Sequence, residues 1–171
     1  IVKLGQSKGG NLAVYAAAFS GPKAQDRLRA VYTFDGPGLS EEDARSAGYL
    51  AVRDRIRSYL PQNSVVGILL HQHKPYEVVR SKAISLFQHD AYSWEVEEGA
   101  AAFVREAALT RHSQLLDSVL DKWLHDLSLD DRRTFCDAIY EVFTAGDDQT
   151  LGELVRLDYR KAMSIFKAMQ G

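Results

Sequence analysis

The pattern Gly-x-Ser-x-Gly at residues 5–9 is the feature that most limits the folds open to this chain. The preceding residues 1–4 are mostly apolar and include β-branched side chains, which favours a short buried strand. Residues 11–19 carry small and apolar side chains that suit a helix, and Gly-Pro at 21–22 ends it. The sequence therefore predicts a tight strand–turn–helix unit with Ser7 at the turn.

The next segments continue the alternation of strands and helices. Residues 29–34 read as a second strand, closed by the turn sequence Asp-Gly-Pro-Gly at 35–38. A helix is predicted over residues 40–57, with Pro61 marking its end. The uniformly apolar residues 64–70 are predicted to form a third, central strand. This order indicates an α/β fold with a parallel sheet and flanking helices.

The remainder divides into a loop-rich stretch and a helical C-terminal region. Residues 71–97 are rich in loops, with a short strand predicted at 83–87. The later sequence shows apolar residues close to a 3.6-residue period and an N-cap pattern beginning at Ser128. We therefore expect a partial α/β core over residues 1–106 and a helical extension, packed on that core, over 107–171.

Composition and charge exclude several classes of function. Hydrophobic residues make up 46% and charged residues 26% of the chain, as in globular proteins. The formal net charge of -2 gives no electrostatic basis for nucleic-acid binding. No apolar run approaches the ~20 residues that span a bilayer. The single cysteine, Cys136, suits a reducing compartment, so we expect a cytoplasmic protein.

The chain opens inside an apolar segment that leads directly into the turn at Ser7. A domain would not naturally begin in the middle of a strand, so this opening predicts a fragment whose N-terminal half is missing. A signal or membrane segment upstream would then escape observation.

Ser7 is the candidate catalytic nucleophile. A strained turn between strand and helix lifts a serine above the sheet, and glycines flank it because side chains would clash there. The backbone N–H of Lys8 falls at the start of the helix, where it would help to stabilise an oxyanion. The alternative is a glycine-rich turn with an incidental serine, but the strand before it and the helix after it favour catalysis.

A nucleophilic serine needs a base, because its hydroxyl is weakly reactive without a proton acceptor. His89, in the loop after the last predicted strand, is the candidate base, and an ordinary surface histidine is the alternative. His112 and His125 fall on predicted helix surfaces. The pair His71 and His73 lacks a third ligand of clear spacing, so we predict no metal and no cofactor.

Two carboxylates compete for the role of the acid. Asp35 follows the second strand, at the sheet edge where the active sites of open α/β sheets gather. Glu77 follows the third predicted strand, which is the commoner place for a triad acid. Asp35 could instead cap its own turn. The residues alone leave both candidates open.

Three blocks of sequence, at residues 5–17, 31–38 and 88–96, resemble an uncharacterised bacterial family of lipase-like α/β-hydrolases. That family carries a domain of unknown function and is distantly similar to the class three (fungal-type) lipases. The resemblance implies that the chain is the C-terminal part of an α/β-hydrolase. It also implies that Ser7 occupies the nucleophile position and His89 the position of the catalytic histidine.

The chain departs from the family pattern at two places. Gln6 stands where a histidine is expected, which changes the wall of the pocket. Where related lipases place an aspartate after the third strand, residues 73–77 read His-Lys-Pro-Tyr-Glu. Some lipases take their acid from the turn after the preceding strand, and Asp35 matches that arrangement. Asp35 therefore ranks first as the acid and Glu77 second.

These features lead us to expect a serine hydrolase that transfers the acyl group of a small or lipid-like carboxylic ester to water. The second oxyanion donor would lie in the missing half, so the fragment alone is expected to be inactive. One alternative is a catalytically silent scaffold that serves as a binding or interaction module. Another keeps the serine chemistry but makes the protein a thioesterase or an acyltransferase.

Overall fold

The computed structural model describes residues 1–70 and 72–115 together with residues 128, 131 and 134. The chain divides into two compact units, Ile1–His125 and Asp126–Gly171. In the second unit, the Asp131 N–H donates to Ser128 Oγ at 3.2 Å, which is the N-cap expected from the sequence. The division of the chain near residue 107 stays a prediction.

The first unit is a mixed α/β structure with a mostly parallel five-stranded sheet. The strands lie in chain order and are β1 Val2–Gln6, β2 Ala30–Phe34, β3 Ile56–Pro61, β4 Glu77–Val79 and β5 Arg105–Glu106. The first four run parallel, and β5 is antiparallel to β4. The register places Gln6 opposite Phe34 and Phe34 opposite Tyr59. The carboxyl ends of β1, β2 and β3 therefore meet at one edge of the sheet.

Short helices connect these strands. The α-helices are α1 Lys8–Ala18, α2 Pro22–Asp26, α3 Glu41–Arg45 and α4 Ala47–Val52. A 3-10 turn at Arg53–Arg55 leads from α4 into β3, and 3-10 helices at Ser85–His89 and Ala91–Ser93 lie between β4 and β5. Residues 111–115 are helical.

The main hydrophobic core lies between one face of the sheet and the helices α1 and α4. Its members are buried apolar side chains, among them Val14, Ala17, Val31, Tyr49, Val52 and Ile56. The opposite face of the sheet carries a cluster of aromatic rings formed by Phe34, Tyr59, Trp94 and Phe103. On β1, Val2 and Leu4 are exposed.

The third strand predicted at residues 64–70 is wrong. Those residues form turns, and most of them are buried. Their apolar character reflects burial, which a short apolar run cannot distinguish from strand formation. The sheet instead uses β3, in which Ile56, Ser58 and Leu60 are buried while Arg57 between them is exposed.

Two other predicted elements also differ from the structure. The single helix predicted over residues 40–57 is replaced by α3, α4 and a 3-10 turn, because β3 begins at Ile56. Pro61 ends this strand rather than a helix. The short strand predicted at 83–87 is wrong, since a 3-10 helix begins at Ser85. Over the described stretches, no helix is long and apolar enough to cross a membrane.

Candidate functional site

Ser7 occupies the turn between β1 and α1. Its φ of 55° and ψ of −134° place it in a region that residues other than glycine rarely adopt, at a cost of order 1–3 kcal/mol. The Ser7 carbonyl accepts hydrogen bonds from the N–H groups of Gly10 and Asn11, at 2.9 and 3.3 Å. Although Ser7 is thus the N-cap of α1, its hydroxyl makes no capping hydrogen bond. The Oγ atom is therefore not committed to holding the helix.

The glycines around this turn have unequal roles. A Cβ atom at Gly5 would lie 2.2 Å from the carbonyl oxygen of Gly9, and one at Gly10 would lie 2.3 Å from Thr33 Oγ1. At Gly9 a Cβ would meet nothing within 4 Å. Steric need for glycine is therefore confirmed at Gly5 and found also at Gly10, but the same expectation is wrong for Gly9. The close packing of α1 on β1 and β2 requires the two crowded glycines.

Asp35 follows β2 and is almost fully buried, with a positive φ of 47°. Its N–H donates to the Tyr59 carbonyl at 2.8 Å. Its Oδ2 atom accepts a hydrogen bond from Nδ1 of His89 at 2.7 Å. The structure therefore brings together the first-ranked acid and the candidate base.

The second oxygen of the Asp35 carboxylate is also occupied. Oδ1 accepts from the Ser64 hydroxyl at 2.5 Å and from the Gly67 N–H at 3.0 Å. A buried carboxylate is costly unless charged or polar partners satisfy it. The turns at residues 64–70 supply those partners, which explains why a polar serine lies within an apolar run.

His89 ends a 3-10 helix that is fixed at several points. The preceding residue, Gln88, is fully buried; its Oε1 accepts from the Asn63 N–H at 2.9 Å and its Nε2 donates to the Ala83 carbonyl at 2.7 Å. The side chain of Gln6 donates to the His89 carbonyl at 2.5 Å. These contacts hold the histidine beside the end of β1.

Ser7 lies at the same edge of the sheet as this pair. Its N–H donates to the Phe34 carbonyl at 3.0 Å, so Ser7 and Asp35 each extend the ladder of the parallel sheet by one hydrogen bond. Adjacent strands lie ~4.8 Å apart. Ser7 and Asp35 are therefore neighbours at this edge of the sheet, and His89 is bonded to Asp35. Contact between Ser7 Oγ and the His89 ring stays a prediction.

Glu77, the second-ranked acid, lies elsewhere. It is the first residue of β4, and its Oε2 atom is 2.9 Å from Nη2 of Arg105 on β5. The His89 ring donates instead to the Asp35 carboxylate. The contacts of the two carboxylates thus favour Asp35 as the partner of His89.

Of the other candidate residues, the structure describes His73 and His112. Nε2 of His73 lies 3.0 Å from the Leu39 carbonyl, and its Nδ1 is 3.8 Å from Glu41 Oε1. His112 is exposed. Residues 71, 125 and 136, which include two of the histidines and the cysteine, lie outside the described residues. No group of three or more potential metal ligands occurs in the part of the chain that the structure describes.

The aromatic rings near the site serve mainly as packing. Trp94 is buried, and its Nε1 donates to the Gln88 carbonyl at 2.7 Å. Burial raises the pKa of Tyr59, and the nearby Glu77 adds to this effect, so the phenol stays protonated at neutral pH. Tyr92, by contrast, is almost fully exposed.

Sequence reasoning missed the residues that hold the acid and the base. Ser64 and Gly67 fall within the run that reads as a strand, and Gln88 begins the block at 88–96 but was not singled out within it. The one available signal is Gly67, because a glycine inside an apolar run indicates close approach of another group. A Cβ there would lie 2.5 Å from Asp35 Oδ1.

Comparison with known proteins places the chain in a family of unknown function, while the lipase-like relation that the three sequence blocks indicate stays a prediction. The model of the Mbeg1-like family, a family of unknown function, matches residues 1–141 of the 171-residue chain. No curated protein matches the chain at a significant level. Because the match includes Ser7, Asp35 and His89 and covers most of the sequence, the chain belongs to the Mbeg1-like family.

Proposed function

We propose that this protein is a serine hydrolase of the α/β-hydrolase type that cleaves carboxylic esters. Ser7 is the nucleophile, His89 the base and Asp35 the acid. The observation that carries the proposal is the 2.7 Å hydrogen bond between His89 Nδ1 and the buried Asp35 carboxylate, next to a serine on a strained turn. A buried carboxylate that accepts from Nδ1 favours the tautomer in which Nε2 is the proton acceptor.

The proposed reaction proceeds through an acyl-enzyme. Ser7 Oγ attacks the ester carbonyl while Nε2 of His89 takes the hydroxyl proton, and the oxyanion that forms faces the N–H of Lys8 at the positive end of α1. The C–O bond to the alcohol then breaks, and the alcohol leaves with the proton from His89. Water, deprotonated by His89, attacks the acyl-serine and releases the acid and free Ser7.

The surroundings of His89 favour an ester with an apolar acyl group. Ile84, Phe87 and Tyr92, all large and largely apolar, are exposed on the segment that contains His89. A charged substrate would gain little from such side chains, whereas an acyl chain would bury apolar surface against them at ~25 cal/mol per Å². We therefore assign lipid-like or short acyl esters as the substrate class.

A fluorophosphonate probe tests this proposal, because it labels only a serine that is activated by a base. In the intact protein we expect labelling of the wild type, none of Ser7→Ala, and none of His89→Ala. Ser20→Ala is the matched control, since Ser20 is exposed and lies at the far end of α1. We expect it to be labelled as the wild type is.

The same variants are then assayed with short- and long-chain p-nitrophenyl esters. Hydrolysis should be lost in Ser7→Ala and kept in Ser20→Ala. Labelling or hydrolysis by Ser7→Ala at the wild-type rate would exclude Ser7 as the nucleophile. An unlabelled wild type that is correctly folded would show that the protein is not a serine hydrolase.

A further inference from the structure

The contacts on the buried Asp35 carboxylate point to a residue outside the expected triad. Oδ2 faces His89, whereas Oδ1 faces the Ser64 hydroxyl at 2.5 Å. Ser64 is itself almost fully buried. A short hydrogen bond to an ionised oxygen is about twice as strong as one between neutral groups. Both oxygens of the carboxylate are therefore held, Oδ2 by His89 and Oδ1 by Ser64.

The Ser64 hydroxyl is held by the Asp35 carboxylate and the Gly67 N–H, while the main chain of Ser64 bonds to other residues. The Ser64 N–H donates to the Pro61 carbonyl at 2.9 Å, and the hydroxyl of Ser113 donates to the Ser64 carbonyl at 2.7 Å. The Gly67 N–H lies 3.0 Å from Asp35 Oδ1 and 3.1 Å from Ser64 Oγ. Pro61 and Ser113 thus bond to the main chain of Ser64, whereas the direction of its hydroxyl is set by Asp35 and Gly67.

We propose that Ser64 is a positioning residue of the esterase site: its hydroxyl fixes the plane of the Asp35 carboxylate so that Oδ2 meets the His89 ring. The expected effect of Ser64 on the rate of ester hydrolysis rests on the proposed function. The claim that Ser64 orients Asp35 toward His89 does not depend on it. Without the Ser64 hydroxyl, Oδ1 keeps one donor, the Gly67 N–H, and the carboxylate can rotate about its Cβ–Cγ bond.

Ser64→Ala removes this hydroxyl and leaves the main chain in place. Ser113→Ala is the matched control, because Ser113 is equally buried and its hydroxyl bonds to the Ser64 carbonyl rather than to the carboxylate. Ser64→Ala loses the bond to the Asp35 carboxylate and the bond from the Gly67 N–H, whereas Ser113→Ala loses one neutral bond, so both should be less stable and Ser64→Ala more so. Only Ser64→Ala should change the contact between Asp35 and His89.

The first measurement is the low-field proton NMR resonance of the His89 Nδ1–H in the full-length protein, assigned by its loss in His89→Ala. We expect it to persist in the wild type and in Ser113→Ala, and to move or broaden in Ser64→Ala. The second is ester hydrolysis, where kcat of Ser64→Ala should fall about 10- to 100-fold with little change in KM. If Ser64→Ala does not fold, Ser64→Cys, which keeps a weak donor, should give an intermediate result.

The two proposals fail in different ways. If Ser64→Ala shows the wild-type resonance and has the same kcat as Ser113→Ala, Ser64 does not position the acid. If the wild type is not labelled by the fluorophosphonate, the esterase proposal fails. The resonance then still decides whether Ser64 orients Asp35 toward His89.

Discussion

Asp35 makes strong hydrogen bonds through both of its carboxylate oxygens while its own backbone holds a positive φ. A left-handed conformation is more accessible to aspartate than to most residues, which suits Asp35 to its place in the turn. The same residue therefore forms part of the turn after β2 and binds the His89 ring. The alternative in which Asp35 only caps its loop does not account for the contact with His89.

Replacing Asp35 by Asn should keep the shape of the side chain and remove its charge. In triad enzymes this change leaves the base in the wrong tautomer and lowers kcat about 10⁴-fold. We expect a fall of about 10³- to 10⁴-fold in ester hydrolysis by Asp35→Asn, measured as kcat on the intact protein.

Glu77→Gln is the control for this experiment. Its carboxylate, on β4, pairs with Arg105 on the neighbouring strand β5. Such partly exposed ion pairs contribute about 0–1 kcal/mol to stability. Because this loss of stability is small, the rate of ester hydrolysis by Glu77→Gln should stay within about twofold of the wild-type rate. A large loss in Glu77→Gln with none in Asp35→Asn would reverse the assignment of the acid.

At the scale of elements, the contact between α1 and the sheet depends on glycine at specific positions. Gly9 and Gly10 are neighbours in the first turn of α1, yet only Gly10 faces the sheet at close range. This pair offers a direct test of the packing, because the same substitution should have opposite effects at the two positions.

Gly9→Ala should stabilise the protein by a few tenths to about 1 kcal/mol, because alanine has the higher helix propensity and the site is open. Gly10→Ala should destabilise it by about 1–3 kcal/mol, because its methyl group would contact Thr33 and the Gly5 carbonyl. Chemical denaturation followed by circular dichroism measures both. Equal effects of the two substitutions would contradict the packing of α1 described above.

The positions of β1, α1 and β2 were predicted well because each has a strong local signal: an apolar strand, a glycine-rich turn and small helical residues. The predicted burial of β1 was wrong, since Val2 and Leu4 are exposed. The sequence prediction also failed at β3, where Arg57 interrupts the apolar pattern and the buried turns at 64–70 imitate a strand. Ser7, His89 and Asp35 could be proposed from motif, order and turn chemistry. Ser64 could not, because its role depends on a contact with a residue 29 positions away.

At the scale of the whole molecule, the sheet has one well-covered face and one that is only partly covered. The covered face packs on α1 and α4, while Val2 and Leu4 on β1 are more than half exposed.

The sheet also has an open edge at β1. Among the described residues, β1 pairs with β2 alone, so its other edge presents unpaired backbone groups. Such an edge is open to pairing with another strand.

Hydrogen exchange should show the difference between the open edge of β1 and the paired strand β2. We expect the amides of β2 to exchange most slowly, because that strand is paired on both sides and packed against α1, and the amides of β1 on its open edge to exchange early. Amide exchange of the 171-residue chain, followed by NMR, gives the comparison. Equal protection of all amides of β1 and β2 would show that the outer edge of β1 is covered.

The ladder bonds that fix Ser7 and Asp35 have a consequence for how such proteins can diverge. Two neighbouring main-chain hydrogen bonds of the sheet set the spacing between the backbones of Ser7 and Asp35, and insertions elsewhere leave these bonds untouched. His89 lies on a separate segment of loops and 3-10 helices that follows β4. Insertions in that segment would change the space around Ser7 and His89, while the spacing between Ser7 and Asp35 stays the same.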